Sequence, residues 1–310
     1  MLTLSERHAE FREQLLAAGL LVETSSSGLY GRSGAFESIV EGLNAVVTQL
    51  AADQSPMVVR FPAVFPRDVF EKTDYIASFP DLTGAIFTFT GNDKDHKALL
   101  AEREDGHDWS HALTPSDLML VSAACHPCYP MLTGDLPESG RHLDVLGLCF
   151  RHEPSIDPAR MQAFRQREIV FVGTPADAVA HRDLWADRAQ TVLRELGLDA
   201  NVEVANDPFF GRAGRILAAG QREEELKLEV VVRLYGGSDD AESGSGTAVA
   251  SSNCHLDHFG TPFGIRTSDG AVAHSACVGF GLERITLALL RAHGLDIDAW
   301  PDAVRSRLWG

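Results

Sequence analysis

The sequence predicts an α+β fold in which helices flank a mostly antiparallel β-sheet. Segments that read as strands come in hairpins, and helices or long insertions separate them. This arrangement does not suit a doubly wound parallel sheet. The hydrophobic content of the 310-residue chain is 45%, which is ample for the core of one large domain or of two ordinary ones.

The first half of the chain combines helices with short strands. An amphipathic helix is predicted from Leu4 to Leu21, and Ser33 caps a second helix whose apolar residues repeat at helical spacing. The elements that follow are a strand at 57–61, a short helix at 66–76, a strand at 85–89, a turn at 92–96 and a long helix. That helix is expected to begin at Thr114, where a threonine cap precedes a proline, and to run towards Cys125.

The second half supplies most of the strands. They are predicted at 143–152, 167–172, 202–204, 227–234, 248–255 and 271–280. A helix at 175–196 separates the second and third of them. The glycine-rich acidic segment 236–246 is too short to be a domain linker and is expected to form a loop.

Charge and cysteine content limit the functional classes. The net charge is −17, from 27 basic and 44 acidic residues, which argues against a broad phosphate-binding surface for tRNA. No segment is long and apolar enough to span a bilayer, and the N-terminus lacks an export signal, so a cytoplasmic protein without a membrane partner is expected. The five cysteines are an odd number, which speaks against a disulfide framework. Cys149 and Cys254 are expected to be small core residues.

One hairpin carries groups that suit a nucleotide. Phe150-Arg151-His152-Glu153 is followed, across a polar turn, by Arg160, Phe164 and Glu168. Arginine forks match phosphates, an aromatic ring stacks on a purine, and a carboxylate accepts from an exocyclic amine. An exposed hairpin with solvated charges explains this stretch equally well when it is taken alone.

A second segment, Gly279-Phe280-Gly281-Leu282-Glu283-Arg284, reads as a strand, a glycine turn and the start of an apolar helix. Glycines allow a ligand or a neighbouring strand to approach closely, and Arg284 on the first helical turn adds a positive charge. The segment lacks the third glycine of the dinucleotide fingerprint and is weak evidence by itself. Together, the hairpin and this segment favour ATP binding.

The order of these patterns resembles motifs 2 and 3 of the class II aminoacyl-tRNA synthetases. Residues 60–81 are similar to the motif 1 region of seryl-tRNA synthetases, and residues 251–266 are similar to their late core strands. The resemblance covers roughly residues 33–294, which correspond to the catalytic core without the tRNA-binding arm. The chain resembles the amino acid:[carrier protein] ligases, which are truncated homologues of the atypical zinc-dependent seryl-tRNA synthetases.

This resemblance implies a fold, an activity and an assembly. The fold would be a class II synthetase-like catalytic domain over 1–310, with 1–32 as a short helical extension, and the protein would be a homodimer. The activity would be ATP-dependent activation of glycine or alanine and transfer to the phosphopantetheine thiol of a carrier protein, not to tRNA. A stand-alone seryl-type tRNA synthetase and a non-catalytic regulatory paralogue are the alternatives. The sequence does not distinguish pockets for glycine, alanine and serine.

The resemblance also implies roles in ATP binding. Arg151 would hold the α-phosphate and the reacting carboxylate, and Arg160 the γ-phosphate. Glu153 would recognise adenine, and Phe164 would stack under its ring. Arg284 would lie over the other face of the ring and bind the γ-phosphate, so that Arg151 and Arg284 are the expected catalytic residues.

Two metals are implied. In the zinc-dependent relatives, the zinc ligands correspond to Cys125, Glu168 and Cys277, and the open position would take the deprotonated α-amino group of the substrate. Cys128 is an alternative to Cys125, although Cys125-His126-Pro127-Cys128 has no second pair that would complete a structural zinc site.

Magnesium is expected between the ATP phosphates. Glu229 and Ser252 are its candidate ligands, while Thr247 stands where seryl-tRNA synthetases have a metal-binding glutamate.

A carrier protein that is itself acidic would need a basic docking patch. The candidates are Arg212, Arg215, Arg222 and Lys227. A solvated helix, balanced by the glutamates at 223–225, explains the same residues. His255 and His274 lie near the site in sequence, where core histidines are favoured over ligands.

Overall fold

The computed structural model describes residues 2–205, 225–235 and 246–310. Its main element is a seven-stranded sheet. In spatial order, the strands of this sheet are β10 (Ala200–Ala205), β11 (Lys227–Val232), β12 (Thr247–Leu256), β14 (His274–Gly281), β9 (Ala163–Gly173), β8 (Arg141–Phe150) and β3 (Met57–Val59). Neighbouring strands are antiparallel except for β3 and β8, which are parallel. The mostly antiparallel sheet expected from the sequence is confirmed.

Helices and smaller sheets surround this sheet. The described helices are α1 (Leu4–Ala17), α2 (Gly34–Leu50), α3 (Arg67–Glu71), α4 (Tyr75–Ser78), α5 (Asp93–Glu104), α6 (Pro175–Glu195), α7 (Gly260–Phe263), α8 (Leu282–His293) and α9 (Asp302–Trp309). The remaining strands are β1 (Leu21–Glu23), β2 (Tyr30–Arg32), β4 (Val64–Pro66), β5 (Ala85–Thr88), β6 (Thr114–Leu120), β7 (Gly134–Asp135) and β13 (Ile265–Arg266). They form a β1–β2 hairpin, a three-stranded sheet in the order β4-β6-β5, and a β7–β13 pair.

One face of the large sheet, here called the helix face, is covered by α1, α2, α6 and α8. Ile169, Val278 and Phe280 point into this layer, where they pack in one buried cluster with Phe36 of α2 and Trp185 of α6. Successive side chains of a strand point to opposite faces, so the residues between them belong to the other side of the sheet.

The opposite face is here called the site face. Val145, Val170 and Cys277 lie on it and pack with Phe65 and Tyr129, which come from the segments that precede β8. Strand alternation places Glu168 and Gly279, which are cross-strand neighbours, on the same face. The site face therefore combines a hydrophobic core with buried polar side chains.

Local signals set the first turns of two helices, and the sequence predicted the Ser33 cap of α2. The hydroxyl of Ser33 accepts a hydrogen bond from the Phe36 N–H at 3.3 Å and begins α2. Thr174 caps α6 in the same way, and Pro175 occupies its first turn.

Three predictions about elements are wrong. The segment after Thr114 is strand β6, which pairs with both β4 and β5, and not a helix. Asn92 caps helix α5 where a turn was expected, and the predicted helix at 66–76 is divided into α3 and α4. The predicted loop at 236–246 lies outside the described residues apart from Gly246.

None of the helices in the described ranges is both long enough and apolar enough to cross a membrane.

Candidate active site

Three potential metal ligands meet at the centre of the site face. The ligand atoms of Cys125, Glu168 and Cys277 all lie within 4.8 Å of one another, and the three residues are buried. Glu168 lies on β9 and Cys277 on the adjacent β14, while Cys125 comes from the loop that follows β6. Three distant parts of the sequence thus form one cluster.

The carboxylate of Glu168 is only partly satisfied. Its Oε1 accepts a hydrogen bond from the Ala124 N–H at 2.9 Å, whereas Oε2 is buried and has no partner among the described residues. Burial, and then the negative charge of Cys277, raise the pKa of Glu168 to about 8. A buried carboxylate with an unpartnered oxygen beside a thiolate is costly unless a cation binds there.

The sulfur atoms of the two cysteines lie within 4.8 Å of each other. The Cys125 thiol lowers the pKa of Cys277 well below its usual value, and the same interaction raises the pKa of Cys125. Two sulfurs and one carboxylate oxygen suit Zn²⁺, and three protein ligands would leave the fourth tetrahedral position open, as in catalytic zinc sites. Cys128 is buried in the next turn and lies outside this cluster, so the geometry favours Cys125.

Further polar side chains contact the Cys277 sulfur. Asn253 Nδ2 lies 3.8 Å and His255 Nε2 3.6 Å from Cys277 Sγ. The other ring nitrogen of His255, Nδ1, is 3.0 Å from the Ser275 hydroxyl. His255 thus contacts the cluster and is oriented by Ser275. By strand alternation, His274 lies on the helix face.

One predicted phosphate-binding arginine, Arg151, contacts the loop that supplies Cys125. Arg151 Nε donates to the Ser122 carbonyl at 3.1 Å, and its guanidinium carbon lies 5.5 Å from the centre of the Phe164 ring. The loop at 122–125 therefore contacts Arg151 through Ser122 and contributes Cys125 to the metal-ligand cluster.

Arg160 and Arg284 add positive charge on the same side. Arg160 is half-exposed, and its Nη1 lies 3.8 Å from Glu153 Oε1. Arg284 is hydrogen-bonded to the backbone, with Nε donating to the Ala159 carbonyl at 2.7 Å and Nη1 to the Ala248 carbonyl at 3.1 Å. Burial, followed by the charges of Arg151 and Arg160, lowers the pKa of Arg284. The arginines lie close enough together to repel one another, and a polyanion would relieve this repulsion.

The positions of two residues, Ser252 and Lys227, contradict the roles predicted for them. Ser252 points to the helix face, where its hydroxyl donates to the Arg182 carbonyl at 2.7 Å, so it does not face the candidate site. Its neighbour Ser251 lies on the site face, in register with Glu229 on one side and Gly279 on the other.

Lys227 is buried, and its ammonium group lies 3.0 Å from Glu229 on the site face. It does not belong to an exposed docking patch. The other three docking candidates, Arg212, Arg215 and Arg222, lie outside the described residues.

Comparison with known proteins assigns the family, although no family model matches the sequence. Amino acid–[acyl-carrier-protein] ligase 1 of Bradyrhizobium diazoefficiens is 41% identical over 295 residues, which cover 94% of this chain and 88% of the relative. Ligase 2 of the same organism is also 41% identical, over 94% of this chain and 86% of that relative. The chain belongs to the amino acid–[acyl-carrier-protein] ligase family.

More distant relatives match most of this chain but only about half of their own length. The type-2 serine–tRNA ligase of Methanopyrus kandleri is 28% identical over 271 residues, and the match spans 50% of its length. Among solved structures, a seryl-tRNA synthetase of M. kandleri superposes with a TM-score of 0.81 over 96% of this chain and 59% of that chain, at 21% identity. The fold is therefore that of a class II aminoacyl-tRNA synthetase.

Sequence reasoning missed part of the site in this ligase-family chain. Asn253 and the Ala124 N–H were not singled out, and Ser252 was chosen over Ser251. The strand period contains the missing signal, because residues 251, 253 and 255 must share a face. Asn253 is the cross-strand neighbour of Cys277.

Proposed function

We propose that this chain activates a small amino acid, glycine or alanine, with ATP and transfers the aminoacyl group to the phosphopantetheine thiol of a carrier protein. The observation that carries the proposal is the Cys125–Glu168–Cys277 cluster on the site face, because the loop at 122–125 that supplies Cys125 also contacts Arg151. The names of the two Bradyrhizobium relatives support the same activity.

Cys125, Glu168 and Cys277 would hold Zn²⁺ in this proposal. When bound, the ion supplies an open coordination position for an unprotonated α-amino group. The unpartnered Oε2 of Glu168 supports this assignment, because a bound cation would satisfy it. Asn253 and His255 would fix the orientation of the Cys277 sulfur.

The arginines would promote the first reaction by neutralising charge. The substrate carboxylate attacks the α-phosphorus of ATP and pyrophosphate leaves, so the main barrier is the approach of two anions. Arg151 would contact both the carboxylate and the α-phosphate, and Arg160 and Arg284 would bind the γ-phosphate. The attacking group is already ionised, and no catalytic base is needed.

The remaining ATP contacts follow from the same hairpin. Glu153 would accept from the adenine amine, and Phe164 would stack on the base, with Arg284 over its other face. Mg²⁺ would be held mainly by the phosphates, with Glu229 as its protein carboxylate. Glu229 faces the site, although it also forms an ion pair with Lys227.

In the second reaction, the phosphopantetheine thiolate attacks the carbonyl of the mixed anhydride and AMP leaves. The proposal assigns no protein nucleophile to this step. The acceptor is a carrier protein and not tRNA, in agreement with the net charge of −17.

We further propose a homodimer located in the cytoplasm. Strand β3 lies at the edge of the large sheet, and its Met57 and Val58 side chains are exposed in the single chain. An apolar sheet edge of this kind is typically covered by another chain in an assembly. Helix α5 also has no buried residue in the single chain. The five cysteines are all unpaired, as expected in a reducing compartment.

Two assays test the activity. Glycine- or alanine-dependent exchange of labelled pyrophosphate into ATP should occur with zinc-replete protein. Mass spectrometry should then show aminoacylation of a phosphopantetheinylated acyl carrier protein, but not of the same carrier protein without the prosthetic group. Charging of tRNA in place of the carrier protein, or the absence of exchange, would overturn the proposal.

A further inference from the structure

The loop between β8 and β9 is organised by one buried carboxylate, Asp157. Its Oδ1 accepts the Ala159 N–H at 2.9 Å and the Tyr235 hydroxyl at 2.5 Å, and its carbonyl accepts the Arg160 N–H at 3.0 Å. Only 6% of Asp157 is exposed. The turn from 157 to 160 is therefore closed by a side chain that is itself held from outside the loop.

Tyr235 is the outside partner. It lies just after β11 and is buried against Phe11 of helix α1, with ring centres 6.1 Å apart. Burial and the nearby Asp157 carboxylate raise the pKa of Tyr235, which keeps its hydroxyl protonated as the donor. A hydrogen bond from a neutral hydroxyl to a buried carboxylate is among the stronger kinds.

Helix α1 contributes a third contact. The ring of His8 lies 4.4 Å from the ring of Tyr235, and His8 Nε2 is 3.9 Å from Asp157 Oδ2. The N-terminal helix and the end of β11 thus support the same carboxylate.

This support extends to the predicted phosphate-binding groups. The Ala159 carbonyl, which follows the Asp157 turn, accepts from Arg284 Nε at 2.7 Å. Arg160 is the next residue, and its Nε lies 3.9 Å from Asp157 Oδ2. Movement of the turn would displace Arg160 and remove a contact that orients Arg284.

We propose that Asp157 and Tyr235 are positioning residues that hold the β8–β9 loop in the conformation that binds ATP. The inference rests on the proposed ATP-dependent function and adds two residues and helix α1 to it. Neither residue contacts the Cys125–Glu168–Cys277 cluster in the described contacts, so their effect should be specific for the nucleotide.

The test is Tyr235→Phe, measured by pyrophosphate exchange. We expect the KM for ATP to rise about tenfold, since a hydrogen bond to a charged group can change a binding constant by about this factor. The KM for the amino acid and the zinc content should stay unchanged. Asp157→Asn retains an acceptor oxygen and should have a smaller effect than Asp157→Ala.

Tyr30→Phe is the matched control. It removes a hydroxyl that accepts from Arg12 Nε at 3.2 Å and has no described contact with the loop, so the KM for ATP should not change. A Tyr235→Phe enzyme with the same KM for ATP as this control would overturn the inference. Equal changes in both KM values, accompanied by a lower melting temperature, would reduce Tyr235 to a structural role and overturn it as well.

Calorimetric binding of a non-hydrolysable ATP analogue separates the two proposals. If the wild-type protein binds the analogue more tightly than Tyr235→Phe but shows no exchange, the proposed function fails and the positioning role stands. If wild type and variant bind it equally, the positioning role fails whatever the activity.

Discussion

Glu168 is the residue on which the chemistry of the site depends most. It is buried, one oxygen is bound to the Ala124 N–H, and the other has no partner among the described groups. Its raised pKa means that, without a cation, the cluster would hold protons in place of a metal. Metal binding should therefore release protons and weaken as the pH falls.

Cys277→Ser tests the metal assignment. A hydroxyl is a poor replacement for a thiolate zinc ligand, so we expect loss of zinc and of amino acid activation with ATP binding largely kept. Elemental analysis and calorimetry with the ATP analogue measure the two effects. Cys254→Ser is the matched control, because Cys254 is also buried but packs on the helix face with Phe171 and Ala276. Retention of metal and full activity in Cys277→Ser would show that the cluster is not a zinc site.

His255→Ala tests the groups around the metal ligands. Removal of the imidazole leaves Cys277 with one orienting contact fewer, and zinc affinity should fall by roughly 10- to 100-fold. Competition with a zinc-binding dye gives the affinity without an activity assay. His274→Ala, on the opposite face of the sheet, should leave it unchanged, and equal affinities in both variants would refute the role of His255.

For individual residues, the sequence predicted the chemical types of the site side chains better than the directions in which those side chains point. Cys125, Glu168 and Cys277 meet, as the resemblance implied. The predicted role of Ser252 was wrong because a shift of one residue along a strand moves a side chain to the opposite face of the sheet. The sequence Ser251-Ser252-Asn253 places polar residues on both faces.

Among the elements, helix α6 makes a polar contact with the sheet. His181 is buried in its interface, and its Nε2 lies 3.0 Å from the Ile169 carbonyl. Burial lowers the pKa of His181 to about 4. The helix therefore packs with a neutral imidazole.

This packing makes stability depend on pH. In the unfolded state, His181 has an ordinary pKa near 6.5 and binds a proton that the folded state excludes, so stability falls as the pH decreases from about 6.5 towards 4. At pH 5 the loss due to this residue should be about 2 kcal/mol. Urea unfolding at pH 7.5 and pH 5 measures it, and the difference should shrink in His181→Gln, which keeps a donor but does not titrate. The same difference in both proteins would contradict the assignment.

The sheet and the long helices could be predicted because their apolar periodicity agrees with their packing. Strand β6 could not be predicted in this way. Thr114-Pro115-Ser116-Asp117 has the local signals of a helix start, but the segment gains hydrogen bonds to two strands, and buried Met119 packs beneath them. Tertiary pairing outweighs local preference there, and a single sequence does not reveal the partner strands.

For the whole molecule, the exposed edge strand β3 bears on assembly. The proposed dimer predicts that Val58→Asp, on the edge strand β3, yields a monomer, because a charge would be buried in the interface. Sedimentation velocity gives the mass. Val22→Asp is the control, since Val22 is also a strand valine and is 58% exposed against 62% for Val58. A wild-type protein that sediments as a monomer at micromolar concentration would contradict the dimer.

The burial of all five cysteines has a consequence for the acceptor reaction. An activated aminoacyl group reacts with any accessible thiolate, and an enzyme with one beside its own site would acylate itself. Cys128 and Cys149 lie near the cluster, but burial raises the pKa of both, and the Cys149 thiol donates a hydrogen bond to Gln166 Oε1 at 3.2 Å. Both therefore remain protonated and unreactive. In the proposed function, Cys125 and Cys277 would be occupied as zinc ligands, so no cysteine at the site would compete with the incoming carrier thiol for the aminoacyl group.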